Sequence, residues 1–68
     1  MQGSVETFFK AFDELKRKYA NVELRFSYKT YWILELLVDN KLIFNLKGQD
    51  TGILFDNAST KLLNFLRG

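Results

Sequence analysis

Between positions 4 and 19 the apolar residues Val5, Phe8, Phe9, Phe12, Leu15 and Tyr19 recur at steps of three and four, which gathers them on one face of a helix. The opposite face carries Glu6, Asp13 and Glu14, each followed four positions later by a base, Lys10, Arg17 and Lys18. Acid before base at that spacing favours a helix by roughly 0.2 to 0.5 kcal/mol per pair. The pattern predicts a helix over 4–19, with Ser4 as its N-cap and Asn21 as its end. From Val22 the period changes to two, as Val22, Leu24, Phe26 and Tyr28 alternate with Glu23, Arg25 and Ser27. A half-buried strand follows from that alternation. The nearly continuous apolar run over 32–38 predicts a second strand, Asp39-Asn40 supplies turn chemistry, and 42–46 reads as a third.

Connections of three residues would pair Tyr28 with Trp32 and Val38 with Leu42. One face of the antiparallel sheet would then hold Val22, Leu24, Phe26, Tyr28, Trp32, Leu34, Leu36, Val38, Leu42, Phe44 and Leu46, with no polar residue among them. A two-residue second turn would set Lys41 and Asn45 beside the apolar second strand, so the pattern favours the longer loop. Residues 47–52 read as a polar loop with two glycines, and Ile53-Leu54-Phe55 as either a fourth, edge strand or the approach to a final helix. Asp56 or Asn57 would cap that helix, Ala58, Leu62, Phe65 and Leu66 would form its buried stripe, and Gly68 would stop it. The expected architecture is an α+β two-layer sandwich of helix, three or four antiparallel strands and helix, both helices covering the apolar face of one sheet. Phe12, Phe26, Leu36 and Phe44, each central to a stripe, are the expected core.

A chain of 68 residues accommodates one domain, 1–68, and its 47% hydrophobic content with seven Phe, three Tyr and one Trp sets it apart from disordered sequences. It has no Cys, whereas small secreted domains usually depend on disulfides, and no apolar run approaches a membrane span. Met1-Gln2-Gly3-Ser4 has none of the features of a signal peptide. A mature, soluble, cytoplasmic protein with no membrane partner is expected. Ten basic residues against eight acidic give a net charge of +2, interspersed by sign, too mild a balance for a nucleic-acid footprint.

The inventory for catalysis is thin. His and Cys, the usual groups that work near neutral pH, are both absent, which also removes zinc sites, and no carboxylate spacing matches a calcium loop. Asp13 and Glu14 are accounted for as helix-pair partners, and Glu35 lies across from Arg25 in the expected register. No catalytic residue, metal, cofactor or small-molecule substrate is inferred. Asp50-Thr51-Gly52 resembles the catalytic triplet of aspartic proteases, which would make Asp50 the centre of a hydrolase. Here it follows Gly48-Gln49 instead of an apolar strand, in a chain shorter than that fold, and reads as a polar turn. The stretch from Lys47 to Gly52 lacks the Gly-Lys-Ser/Thr ending of a phosphate loop. Asn57-Ala58-Ser59 matches a glycosylation sequon but suits a helix start. Lys16-Arg17-Lys18 fits a helix end, where cations are favoured.

The order of helix, three antiparallel strands and helix is similar to that of the double-stranded RNA-binding domain over most of the chain. That resemblance implies nucleic-acid binding, for which Lys16, Arg17, Lys18, Arg25, Lys29 and Lys47 are the candidate residues. The family sets a lysine cluster at the start of its second helix, where the matching stretch 56–61 has one lysine behind an aspartate, the wrong sign for phosphates. In size and aromatic content the chain also resembles small inhibitors of host proteins carried by phages and mobile elements. The outer sheet face would carry Glu23, Arg25, Ser27, Tyr31, Ile33, Glu35, Leu37, Ile43, Asn45 and Lys47. Among these, Tyr31, Ile33, Leu37 and Ile43, with Leu37 opposite Ile43 beside Glu23, are the candidate partner-binding patch. The expected function is a non-enzymatic protein-binding module acting through that face on another protein or a second copy of itself, with nucleic-acid binding as the alternative.

Overall fold

The computed structural model describes the backbone from residue 3 to 68 and side chains from Val5 onward. Its elements are α1 (Gly3–Lys18), β1 (Val22–Lys29), β2 (Tyr31–Val38), β3 (Lys41–Gly48) and α2 (Thr51–Arg67). The three strands form one antiparallel sheet in the order β1-β2-β3. This is the expected α+β order of helix, three strands and helix. There is no fourth strand among the described residues, because Ile53-Leu54-Phe55 belongs to α2. No described helix is long and apolar enough to cross a membrane.

The helix of the first sixteen described residues forms as its periodicity demands, with Phe8, Ala11 and Leu15 turned into the core. It begins at Gly3, so Ser4 lies inside it rather than before it, and the Ser4 side chain is outside the described set. On the solvent face Asp13 pairs with Lys16 at 3.3 Å, one position closer than the expected Arg17. Lys16, Arg17 and Lys18 occupy the last turn, where cations offset the helix dipole.

β1 and β2 pair in the expected register, Tyr28 opposite Trp32 and Arg25 opposite Glu35. The second hairpin departs from expectation. Asp39 and Asn40 both take positive φ, 52° and 67°, forming a two-residue turn whose twist suits the strands it joins. Val38 therefore faces Lys41 and Leu37 faces Leu42, and the register then shifts so that Leu36 meets Phe44 and Leu34 meets Leu46. One extra residue in β3 absorbs the difference, a bulge that satisfies the turn and keeps the apolar face in phase over most of the strand. Its cost falls on Leu42, which the alternation places inside and which is 56% exposed.

α2 starts five residues earlier than the expected cap. The Asp50 carboxylate accepts a hydrogen bond from the Ile53 backbone N–H at 3.1 Å, and the Asp50 carbonyl accepts one from Leu54 at 3.0 Å. Asp56 and Asn57 lie within the helix. A Cβ at Gly52 would stand 3.2 Å from the Asp50 carboxylate, so glycine leaves room for the cap. Asp50→Ala is expected to cost about 1 kcal/mol in a urea titration, and an unchanged midpoint would refute the cap. Gly68, at φ 103°, ends the helix by donating to the Phe65 carbonyl, as the pattern indicates.

The buried residues of both helices and of the sheet join one cluster that includes Leu34, Leu36, Val38, Phe44, Leu54, Phe55, Ala58 and Leu62. α2 packs on β3 and β2, and α1 packs on α2. β1 is thus left at the rim. Its inward residues pass from half-buried Val22 and Leu24 to exposed Phe26 and Tyr28. Of the four expected core residues Leu36 and Phe44 are buried, but Phe12 is only half-buried and Phe26 is 45% exposed. Two helices on three strands do not reach the outer half of the edge strand.

Candidate functional site

The uncovered rim gathers most of the aromatic residues. Phe8 and Phe9, neighbours on α1, meet edge to face at 5.2 Å, and Phe9 meets Phe12 at 6.1 Å. Phe9 also lies 6.2 Å from Phe55 of α2. From Phe55 the run continues to Phe26 at 5.4 Å, from Phe26 to Trp32 in a stacked pair at 5.0 Å, and from Trp32 to Tyr28 at 4.8 Å. Phe55 is buried and forms the floor. Phe9, Phe26 and Tyr28, exposed by 43%, 45% and 56%, form the open surface, with half-buried Trp32 between the last two.

Two features hold this shelf in shape. Each ring is packed against at least one other, stacked, tilted or edge to face. The hairpin tip beneath Tyr28 is tied down as well, since the Gln49 side-chain amide donates to the Thr30 carbonyl at 2.8 Å. Thr30 itself adopts φ +28°, a conformation that strains a β-branched residue and that the surrounding structure must hold.

The patch read from the alternation is less open. Tyr31 is 36% exposed, with the Lys47 ammonium 5.9 Å from its ring centre, while Ile33, Leu37 and Ile43 are half-buried. Leu37 stands beside Glu23 as expected, but Leu42 and not Ile43 is its neighbour on β3, a consequence of the bulge. Ile43 packs against the core cluster. Polar groups occupy the rest of that face: Arg25 donates to Glu23 at 2.8 Å and Asn45 donates to Glu35 at 2.7 Å. The Glu23 hydrogen bond and charge raise the Arg25 pKa above its ordinary value, with Glu35 adding to the effect.

The candidate basic residues do not form one surface. Lys16, Arg17 and Lys18 end α1 in the helix layer, and Lys16 is paired with Asp13 and sits 5.5 Å from the Phe12 ring centre. Arg25 and Lys47 lie in the sheet, and Lys29 closes β1. Asp50 is engaged as the helix cap described above. Sequence reasoning named none of the shelf residues as a site, having assigned Phe26 and Tyr28 to the covered face. A signal was present in the eleven apolar positions of that face, more than two short helices cover. Comparison with protein-family models, with curated proteins and with solved structures found no match to this chain.

Proposed function

We propose that the chain is a non-enzymatic protein-binding module whose contact surface is the aromatic shelf of Phe9, Phe26, Tyr28 and Trp32. The observation that carries this reading is the unbroken run of rings from Phe9 through Phe55 to Tyr28, with three members open to solvent. Contiguous exposed apolar surface marks interaction sites more often than scattered residues do. Aromatic side chains bring large contact area with few rotatable bonds, and they recur where binding energy concentrates. Chemistry is disfavoured by the residue inventory, which includes neither His nor Cys.

The test is affinity capture from extracts of the source cells with three forms of the protein, each checked by circular dichroism. Phe26→Ser/Tyr28→Ser should keep the fold and lower capture of the specific partner at least tenfold. Leu37→Glu, on the opposite face beside Glu23, should leave capture unchanged. The reverse result would move the site to the outer face, and capture abolished by raised salt alone would favour nucleic acid, whose phosphate contacts are strongly salt-dependent.

A further inference from the structure

We infer that the partner for which this rim is built is a second copy of the chain, joined edge to edge along β1 in an antiparallel pair with Phe26 facing its own copy. The inference rests on the reading of the shelf as a contact surface and adds the occupant and its register. β1 is an edge strand of eight residues, paired with β2 without a break, and its other side has no strand beside it among the described residues. Such an edge presents unpaired backbone donors and acceptors that favour strand addition. The opposite edge is blunted, since β3 is interrupted by the bulge near Leu42 whereas β1 has none.

The side chains of β1 select both the partner and the register. A two-fold pairing that keeps helix-side residues on the helix side can be centred on any one residue of the strand. Centred on Phe26, it sets Leu24 opposite Tyr28 and Arg25 opposite Ser27, and it sets Glu23 opposite Lys29 twice over. Apolar residues meet on the inner face and opposite charges meet on the outer one. A centre at Arg25 would put that guanidinium against its own copy, and a centre at Ser27 would put Arg25 against Lys29; like charges directly opposed are destabilising. A centre at Leu24 would pair only 22–26 and leave Tyr28 beyond the ladder. The favoured register also gives both exposed aromatic residues of the edge an apolar cross-strand partner, Phe26 its own copy and Tyr28 the Leu24 of the other copy. The result is a six-stranded sheet with all four helices on one side.

Because the protein has no Cys, Phe26→Cys introduces a single thiol on the proposed axis. Facing residues in an antiparallel pair lie about 4.5 to 5.5 Å apart at Cα, within disulfide reach. Under mild oxidation of the folded protein, Phe26→Cys should form a covalent dimer at least tenfold faster than Lys61→Cys, which places an exposed thiol on α2. Sedimentation of the cysteine-free protein should show a monomer–dimer equilibrium. Glu23→Lys or Lys29→Glu should weaken it about tenfold by opposing like charges at two symmetric places, and the double exchange should restore it. Equal oxidation rates for the two thiols, or a double exchange no better than the single ones, would overturn the edge pairing. A protein that remains monomeric while its capture of another partner still depends on Phe26 and Tyr28 would sink the dimer and leave the shelf as a docking site; loss of both would remove the two readings together.

Discussion

Phe44→Ala is expected to lower the free energy of unfolding by about 3 to 5 kcal/mol, measured as a shift in the urea midpoint at constant slope. Phe44 is 5% exposed, lies opposite Leu36, and sits under α2, the helix that packs most directly on β3. Removing its ring takes apolar area out of burial and leaves a cavity between two rigid layers, so both costs apply. A chain of this length has roughly 3 to 10 kcal/mol in total at ordinary stability per residue, which makes the loss a large part of what it has. Phe44→Leu retains most of the volume and should cost less than about 1.5 kcal/mol, which keeps the measurement informative if the alanine variant does not fold. Phe26→Ala provides the contrast. With nearly half its surface in solvent and its ring contacts at half-buried Trp32, 5.0 Å away, and at Phe55, 5.4 Å away, it should cost well under half as much. If Phe26→Ala proved the more damaging of the two, the helices would have to cover β1 and not β3.

Local patterns made the elements legible, and non-local geometry accounts for most of what they missed. The steps of three and four in α1, and the alternation from Val22 to Tyr28, are properties of one segment, and both elements form where the pattern puts them. The pairing of Tyr28 with Trp32 follows from the same alternation. The second hairpin was harder because two demands conflict: Asp39-Asn40 favours a two-residue turn, while the apolar phase of β2 and β3 requires an odd offset. A bulge resolves that conflict, and nothing in the residues around Leu42 announces one. The start of α2 was ambiguous since Asp50 and Asp56 are both good caps, and the choice depends on burying Leu54 and Phe55 against the sheet. Alternation also assigns a side chain to a face without saying whether anything covers it. Phe26 and Tyr28 are on the helix side of β1, yet α2 lies over the other two strands and α1 packs on α2, and the candidate site arises from that shortfall.

The adjacent residues Phe8 and Phe9 separate the two roles of aromatic side chains on α1. Phe8 has no exposed surface; it meets Phe55 edge to face at 5.3 Å and stacks near Phe12 at 6.0 Å, so it is the bolt between α1 and α2. α1 packs chiefly on α2, so the attachment of the whole helix depends on that contact. Phe8→Ala should therefore cost about 3 to 5 kcal/mol, a range that already includes the lost ring contacts. Phe9, turned about 100° further around the helix and 43% exposed, should cost about 1 kcal/mol when changed to Ala. Thermal unfolding followed by circular dichroism separates the two, since each kcal/mol moves the midpoint of a domain this small by about 4 to 8 °C. Equal losses would mean that Phe9 is part of the core and the shelf is closed in solution. A large loss at Phe8 with a small one at Phe9 leaves Phe9 as surface whose exposure the fold tolerates and a partner would cover.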